Sequence, residues 1–381
     1  MSKFEDIYFN GEWWDFNYVP VCCGFTENRK INSKDISWFK NDSIYPYYRI
    51  LVNPFHQRDT WRRDMARRDV LVFSDSGGLQ DLRHGTRINH IDVFKWQERN
   101  ADVGFSFDII PFDIEKQRYF TGDKFDDCAR QSKEKAHDCF KIKSREDFKF
   151  YGIIQGDDIA SFERWYDILK DDRFDGYCVK AVGNDPVYVA ITSLFVMKRL
   201  KKPVHFLGIG NISKSIVCAY LSKYYDYPIS YDSSSYDVGT QYRNYEVLPN
   251  WGFRIMKDYD NHVFPVCCCP ACNEWLPISD KMIKSNDYRL GGLLSLHNMY
   301  RNVSLSHIIR TLLHDREQLD GFLKTIYGKS VCDKIKRALD ILDFADKHGV
   351  ESAIKTYEPL FKTLSRSEEA KTRNLFGEYD V

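Results

Sequence analysis

The sequence predicts an α/β fold, a (β/α)8 TIM barrel that carries a small cysteine-rich subdomain inserted near its carboxyl-terminal end. Three features predict it: short apolar segments recur along the chain, stretches with helical periodicity lie between them, and a group of cysteines interrupts this alternation late in the sequence. Strands of about 4–8 residues that alternate with helices indicate βαβ units and a parallel sheet. With 381 residues, the chain is long enough for one barrel and an appended part.

Seven apolar segments are predicted to be strands, and polar residues or glycine follow each of them. They are residues 48–52, 70–73, 103–107, 151–154, 176–179, 205–207 and 227–231. The intervening segments with helical spacing include residues 125–143, 158–171, 186–202 and 211–225. Seven strands come close to the eight of a barrel, but a doubly wound open sheet shows the same alternation and stays the alternative.

The alternation stops after about residue 245, and helical spacing alone continues in the last part of the chain. We therefore predict four parts: an N-terminal segment that caps the barrel (1–45), the barrel core with its catalytic loops (46–250), the cysteine-rich subdomain (251–300) and C-terminal helices that close the barrel (301–381).

Composition and charge argue against several classes of protein. Hydrophobic residues make up 43% of the chain, which is enough for a folded core. Lys plus Arg and Asp plus Glu number 55 each, which argues against a general binder of nucleic-acid backbone but allows a local basic groove. The sequence has no apolar run of roughly 20 residues and no signal-peptide pattern, so we expect no membrane span and a cytoplasmic, reducing location.

A metal site is predicted from four residues near the end of the barrel. Cys267, Cys269 and Cys272 form a C-x-C-x-x-C motif, and His297 follows in a helical segment. Three thiolates and one imidazole fill a tetrahedral shell, so we predict one structural Zn²⁺ per chain in a zinc-binding subdomain. Cys268 points the other way if the loop is extended. The alternative is a cluster of buried cysteines without metal.

Three carboxylates are candidates for catalysis because each follows a predicted strand closely: Asp75, Asp108 and Asp232. The carboxyl ends of parallel barrel strands meet at one rim, where catalytic residues gather. Each aspartate alone is explained as well by a helix cap or a turn. Carboxylates at a glycosidic carbon can attack C1′, exchange protons with a base, or accept hydrogen bonds from its N–H edge.

Five segments resemble the tRNA-guanine transglycosylase superfamily in the order of that family. Residues 74–80 (SDSGGLQ) resemble its D-S-G-G-F-Q element with Leu in place of Phe, and residues 152–156 (GIIQG) resemble G-x-x-Q-G. Residues 206–210 (FLGIG) resemble L-x-G-x-G, while residues 267–272 and 296–300 (LHNMY) resemble the zinc motif and its L-H-N helix. The zinc motif with L-H-N is highly specific, whereas G-x-x-Q-G alone is weak.

The resemblance implies a guanine transglycosylase, a pentosyltransferase with a ping-pong reaction. Asp232 would be the nucleophile and Asp75 the general acid/base. The residues that would bind the base are Asp108, Gln155, Gly156, Ser76, Lys180 and Gly210. Guanine would leave, the sugar would stay on Asp232 as an ester, and a free 7-deazaguanine base would then replace it.

The resemblance favours the DNA-modifying branch of this superfamily, with tRNA as the alternative substrate. Asp232 is followed by SSSY, which is closer to the archaeal D-S-x-x-Y pattern than to the bacterial tRNA enzymes, and the sequence shows no long C-terminal RNA-binding extension. Such enzymes insert 7-cyano-7-deazaguanine (preQ0) or a relative into DNA in bacterial cells or phage-infected hosts, and the superfamily is often dimeric. Residues 178–183 (CVKAVG) occupy the place of a glycine-rich loop that lines the base pocket, and Lys180 within them leaves the 7-substituent open.

The target base must leave its stack to enter such a site. Candidate contacts to the nucleic acid are Tyr236, Arg243, Lys281, Lys284 and Arg289, with ordinary solvated charge as the alternative for each basic residue. Two rival functions are weaker. A non-catalytic subunit of the family would be expected to lose Asp75 or Asp232, and a zinc hydrolase needs an open metal position that a Cys3His set does not leave.

Overall fold

A computed structural model gives the fold of the chain. It describes residues 16–22, 30–31, 33–56, 58–62, 69–85, 88–113, 118–180, 183, 185–241, 244–247, 252–255, 267, 269–275 and 288–369.

One parallel sheet organises the described residues. Its eight strands are, in chain order, β1 (Phe16–Pro20), β2 (Arg49–Val52), β3 (Leu71–Ser74), β4 (Val103–Phe105), β5 (Lys149–Ile154), β6 (Gly176–Lys180), β7 (Val204–Leu207) and β8 (Ile229–Ser233). From β2 to β8 each strand pairs in parallel with the next one, and β8 also pairs with β1, where Phe16 lies opposite Ile229. A parallel bridge between Val21 and Leu51 links β1 back towards β2, so the sheet is a nearly closed barrel.

The strand β1 was not predicted, because its sequence FNYVP is short, contains Asn17 and ends in proline. The Asn17 side chain is buried and donates a hydrogen bond to the Ile229 carbonyl at 2.9 Å. This polar contact fixes β1 against β8, and it gives no hydrophobic signal in the sequence. A barrel strand thus lies inside the segment 1–45 that we assigned to a cap.

Helices connect the strands and continue after the barrel. They are α1 (Gly78–His84), α2 (His90–Asn100), α3 (Asp123–Ile142), α4 (Ile159–Leu169), α5 (Pro186–Arg199), α6 (Ile212–Leu221), α7 (Ser235–Gln241), α8 (Pro270–Trp275), α9 (Tyr288–Leu312), α10 (Arg316–Ile326), α11 (Lys329–His348) and α12 (Val350–Glu369). Side chains cap several helix starts: Asp158 forms a capping box on α4, and Asn211 caps α6. Asp185 caps α5, whose first residue is a proline.

Shorter elements lie outside the barrel sheet. Three antiparallel ribbons pair Lys30–Ile31 with Lys34–Asp35, Phe112–Asp113 with Arg118–Tyr119, and Asn244–Val247 with Gly252–Ile255. A 3-10 helix spans Pro54–His56. No helix in the described parts of the chain combines the length and the apolar character that crossing a bilayer needs.

The apolar core has two layers, because successive side chains of a strand point to opposite faces. In β3, Leu71 and Phe73 face the barrel interior, whereas Val72 packs in the layer between the strands and the helices. The interior layer is Val19, Leu51, Leu71, Phe73, Val103, Phe105, Tyr151, Ile153 and Cys178. The interior is therefore filled with side chains, and polar groups gather above this packing at the rim where the strands end.

Candidate active site and metal centre

Asp75 follows β3 at the rim and has partial exposure. Its Oδ1 accepts a hydrogen bond from the Ser76 N–H at 2.8 Å. The pKa of Asp75 is raised to about 7, mainly by burial; the charges of Asp232 and Asp108 also raise it, whereas the Ser76 and Gly77 N–H groups lower it. A carboxyl group with a pKa near neutrality can both give and take a proton in one reaction cycle.

Asp108 lies beyond β4 and is buried. Its Oδ1 accepts from the Ser76 hydroxyl at 3.0 Å, and its Oδ2 accepts from Gln155 Nε2 at 2.6 Å. Burial is the main cause of its raised pKa, which the hydrogen bonds and the Lys180 ammonium lower in part. Gly78 makes this approach possible, since a Cβ there would lie 2.5 Å from Asp108 Oδ1. The carboxylate is thus held between Ser76, which follows β3, and Gln155, which follows β5.

Asp232 lies near the carboxyl end of β8 and is 7% exposed. Its Oδ1 accepts two hydrogen bonds, from the Gly208 N–H at 2.9 Å and from His205 Nε2 at 3.1 Å. Gly208 has φ +65°, a left-handed conformation that suits glycine. Among the described residues, no group donates to Oδ2. One oxygen is therefore anchored, and the other accepts no hydrogen bond from the described residues.

Cys178 in β6 lies in the barrel interior, near the three carboxylates. Its side chain is fully buried and belongs to the barrel interior. Burial raises the pKa of the Cys178 thiol well above its usual range, and the charges of Asp232, Asp108 and Asp75 raise it further. Asp75, Asp108 and Asp232 lie at or shortly after the carboxyl ends of the parallel strands β3, β4 and β8, so the three carboxylates share one end of the barrel. The thiol itself stays neutral at ordinary pH.

The remaining predicted base-binding residues are Lys180, Gly210 and Gly156. Lys180 ends β6 and lies close enough to Asp108 to affect its pKa. Gly210 lies in the turn after β7, and a Cβ there would be 3.9 Å from Ser233 Oγ. Gly156 follows Gln155, and a Cβ there would lie 2.8 Å from the Phe162 backbone nitrogen, so local packing alone explains this glycine.

The predicted nucleic-acid contacts find no support among the described side chains. Tyr236 is completely buried, its hydroxyl donates to the Val21 carbonyl, and its ring packs edge-to-face on Trp38. It is a core residue that ties α7 to the end of β1, so the ring does not face a nucleic acid. Arg243, Lys281 and Lys284 lie outside the described residues, and so does the Arg289 side chain in α9.

The metal centre joins the loop before α8 to α9. Cys267, Cys269, Cys272 and His297 are buried, and one ligand atom of each lies within 4.8 Å of the others. The three sulfurs lie 3.6, 3.3 and 3.3 Å from His297 Nδ1. Tetrahedral zinc with typical bond lengths separates sulfur and nitrogen ligands by about 3.5 Å. The geometry is therefore consistent with zinc, and Cys268 lies outside the described residues.

Groups around the sulfurs support a thiolate site. The Cys269 N–H donates to Cys267 Sγ at 3.4 Å, and the Cys272 N–H donates to Cys269 Sγ at 3.3 Å. Arg301 is buried, and its Nη2 donates to Cys267 Sγ at 3.1 Å. Three thiolates around a divalent ion would leave one negative charge, which the Arg301 guanidinium would offset.

Sequence analysis did not identify His205, Ser230 or Tyr119 as site residues. His205 is completely buried in β7, with Nδ1 2.8 Å from the Ser230 hydroxyl, and the Tyr119 hydroxyl donates to Gln155 Oε1 at 3.4 Å. An ionisable residue within a buried parallel strand was the available signal for His205, because such strands are otherwise nearly all apolar.

The fold and the site together define an α/β barrel with a carboxylate cluster at one rim and a Cys3His centre beside it. Comparison with protein-family models found no match, and comparison with curated proteins found none either.

Proposed function

We propose that this protein is a zinc-containing base-exchange enzyme of the tRNA-guanine transglycosylase superfamily, which replaces guanine in DNA with a 7-deazaguanine such as preQ0. In this proposal the nearly closed barrel is the TIM barrel of that superfamily. One observation supports the proposal: Asp75 and Asp232 lie at the same end of the barrel interior. The pKa of Asp75 is about 7, and Asp232 Oδ2 accepts no hydrogen bond from the described residues.

The chemistry needs two displacements at C1′. In the first, Asp232 Oδ2 bonds to C1′ while the C1′–N9 bond breaks, and protonated Asp75 supplies the proton that the leaving guanine takes up. In the second, N9 of the incoming 7-deazaguanine attacks C1′ and gives its proton to Asp75. The ester bond breaks and its electron pair returns to Asp232. Nothing is oxidised or reduced, and the ester conserves the glycosidic bond energy.

The other polar groups of the rim suit recognition of a purine-like base. Asp108 is a buried acceptor, and guanine offers an N1–H and an exocyclic amine. Gln155 accepts from Tyr119 and donates to Asp108, which fixes the orientation of its amide. A base edge can take the place of these internal hydrogen bonds when it enters. The four protein donors of the Cys3His centre complete a tetrahedral shell, so the zinc ion would hold the fold rather than a reacting water.

The experiment is incorporation of a labelled base. The full-length protein is incubated with labelled guanine or labelled preQ0 and, in parallel, with tRNA, single-stranded DNA and duplex DNA. We expect label in DNA, and a protein–DNA adduct that survives denaturation. Asp232→Asn is the control, with melting measured to show that it folds, and it should give neither label nor adduct. Label in tRNA alone would overturn the choice of DNA, and label in no polymer would overturn the proposed function.

A further inference from the structure

We infer that His205 is a positioning residue for Asp232: it anchors Oδ1 from inside the barrel so that Oδ2 faces the reacting sugar carbon. The inference rests on the proposed function and adds a residue to its machinery. His205 is an ionisable side chain that is completely buried inside the barrel, where its ring packs against Phe73 and Phe105.

Two aromatic rings and two polar side chains contact the imidazole of His205. Its ring centroid lies 5.5 Å from that of Phe73 and 4.8 Å from that of Phe105. Nδ1 lies 2.8 Å from the Ser230 hydroxyl, and Nε2 lies 3.1 Å from Asp232 Oδ1. Burying a polar ring is costly unless its nitrogens are satisfied, and here both are. Since a carboxylate oxygen only accepts, Nε2 carries the proton.

A second donor makes the anchoring specific to one oxygen. The Gly208 N–H also donates to Oδ1, at 2.9 Å, from the turn that follows β7. Two donors from one strand and its turn define the plane of the carboxylate and leave Oδ2 as the nucleophile. The same donors act when the ester breaks in the second displacement, because they stabilise the negative charge that returns to Asp232. His205 therefore assists both half-reactions without touching the substrate.

The test compares two substitutions that differ in one hydrogen-bond donor. His205→Phe keeps a ring between Phe73 and Phe105 but removes the donor, whereas His205→Gln keeps an N–H group at a similar reach. We expect adduct formation in a single turnover to slow about 100-fold in the Phe variant and less than about 10-fold in the Gln variant. The KM for the nucleic acid should change little in both. Melting is measured for each, and if His205→Phe does not fold, His205→Asn replaces it, because its shorter amide does not reach Asp232.

Three outcomes would overturn the inference: equal rates in the wild type and the Phe variant, equal losses in the Phe and Gln variants, or a change confined to KM. A wild-type protein that forms no adduct would instead refute the proposed function. In that case, crystal structures of the wild type and His205→Phe decide the role of His205. The Asp232 carboxylate should rotate away from the Gly208 N–H in the variant, and an unmoved carboxylate would refute positioning.

Discussion

At the scale of single residues, the charged form of the Asp75 carboxyl group destabilises the folded protein. Asp75 has a pKa of about 7, whereas an unfolded chain releases this proton at about pH 4. Between these values the folded protein binds one proton more than the unfolded chain, so the contribution of Asp75 to stability falls as pH rises from 4 to 7. The partial exposure of Asp75 reduces the size of this effect.

Asp75→Asn should therefore raise the melting temperature at pH 8 while it abolishes base exchange. The substitution removes a charge that burial and two neighbouring carboxylates oppose. Melting measured from pH 4 to pH 8 should depend less on pH in the variant than in the wild type. Asp226→Asn, at an exposed loop position, is the control and should leave both properties unchanged. A variant less stable than the wild type at pH 8 would show that the raised pKa is wrong.

Sequence alone identified the three carboxylates because a polar residue after an apolar segment is visible in the chain. It could not find that His205 contacts Asp232, since the two are 27 residues apart and meet only because β7 pairs with β8. The opposite holds for Tyr236: its position shortly after Asp232 suggests a ligand contact, but the side chain is buried against Trp38 and donates to the Val21 carbonyl. Side-chain partners set by pairing across the barrel are not encoded in local spacing.

At the scale of elements, the metal centre supports the segment that follows Asp232. His297 lies in α9, and two residues of the same helix hold α7: Ser295 donates to Asp237 at 2.7 Å, and Asn298 donates to the Tyr236 carbonyl at 3.2 Å. A zinc ion bound by Cys267, Cys269, Cys272 and His297 would fix α9 and, through it, α7. A bound metal would thus act on the site by holding a helix.

Cys269→Ser should lose zinc and lower both stability and exchange. Metal analysis of the purified wild type should find one zinc per chain, and the variant should contain much less and melt at a lower temperature. Exchange should fall with zinc content because α7 loses its support. Cys332→Ser, at a buried cysteine in α11, is the control and should keep its zinc. A metal-free wild-type protein with full stability would contradict the zinc assignment.

Arg301→Leu should release zinc faster without removing a ligand. Arg301 donates to Cys267 Sγ and offsets the net negative charge of the centre. Loss of such a partner commonly costs 10- to 100-fold in metal affinity, so transfer to a chromogenic chelator should speed up about tenfold or more. Arg310→Leu changes an arginine of the same helix that has no described contact with the cluster, and it should behave as the wild type. Equal release rates in both variants would mean that Arg301 does not stabilise the bound zinc and contributes only packing.

At the scale of the whole molecule, the alternation of strands and helices predicted a barrel and seven of its eight strands but not β1, which brings the sheet close to closure. Seven strands were visible as apolar segments, while β1 depends on Asn17 and on pairing with β8 at the far end of the sheet. A strand that is defined by its partner more than two hundred residues away has no local signature. Helices follow the barrel as predicted: the end of α9, α10, α11 and α12 lie within residues 301–369, α11 contacts α5 and α6 of the barrel, and α12 contacts α5.

A polar cluster on α6, α10 and α11 links these helices to the barrel. The Tyr220 hydroxyl donates to Asp343 Oδ1 at 2.7 Å, Tyr224 donates to the same oxygen, and Arg316 Nη1 donates to Asp343 Oδ2 at 2.6 Å. Asp343 therefore receives donors from a barrel helix and from α10. Its side chain is 37% exposed, so water screens part of this interaction.

Asp343→Ala should lower the free energy of unfolding by about 1–3 kcal/mol, because it leaves two tyrosine hydroxyls and a half-buried arginine without their shared acceptor. Asp346→Ala removes an exposed carboxylate from the same helix and should change stability by less than about 0.5 kcal/mol. Urea unfolding of both variants measures the difference. Since the cluster lies on the outer helices, zinc content should be unchanged in both. Equal stability of the two variants would mean that this cluster contributes little to holding the helices on the barrel.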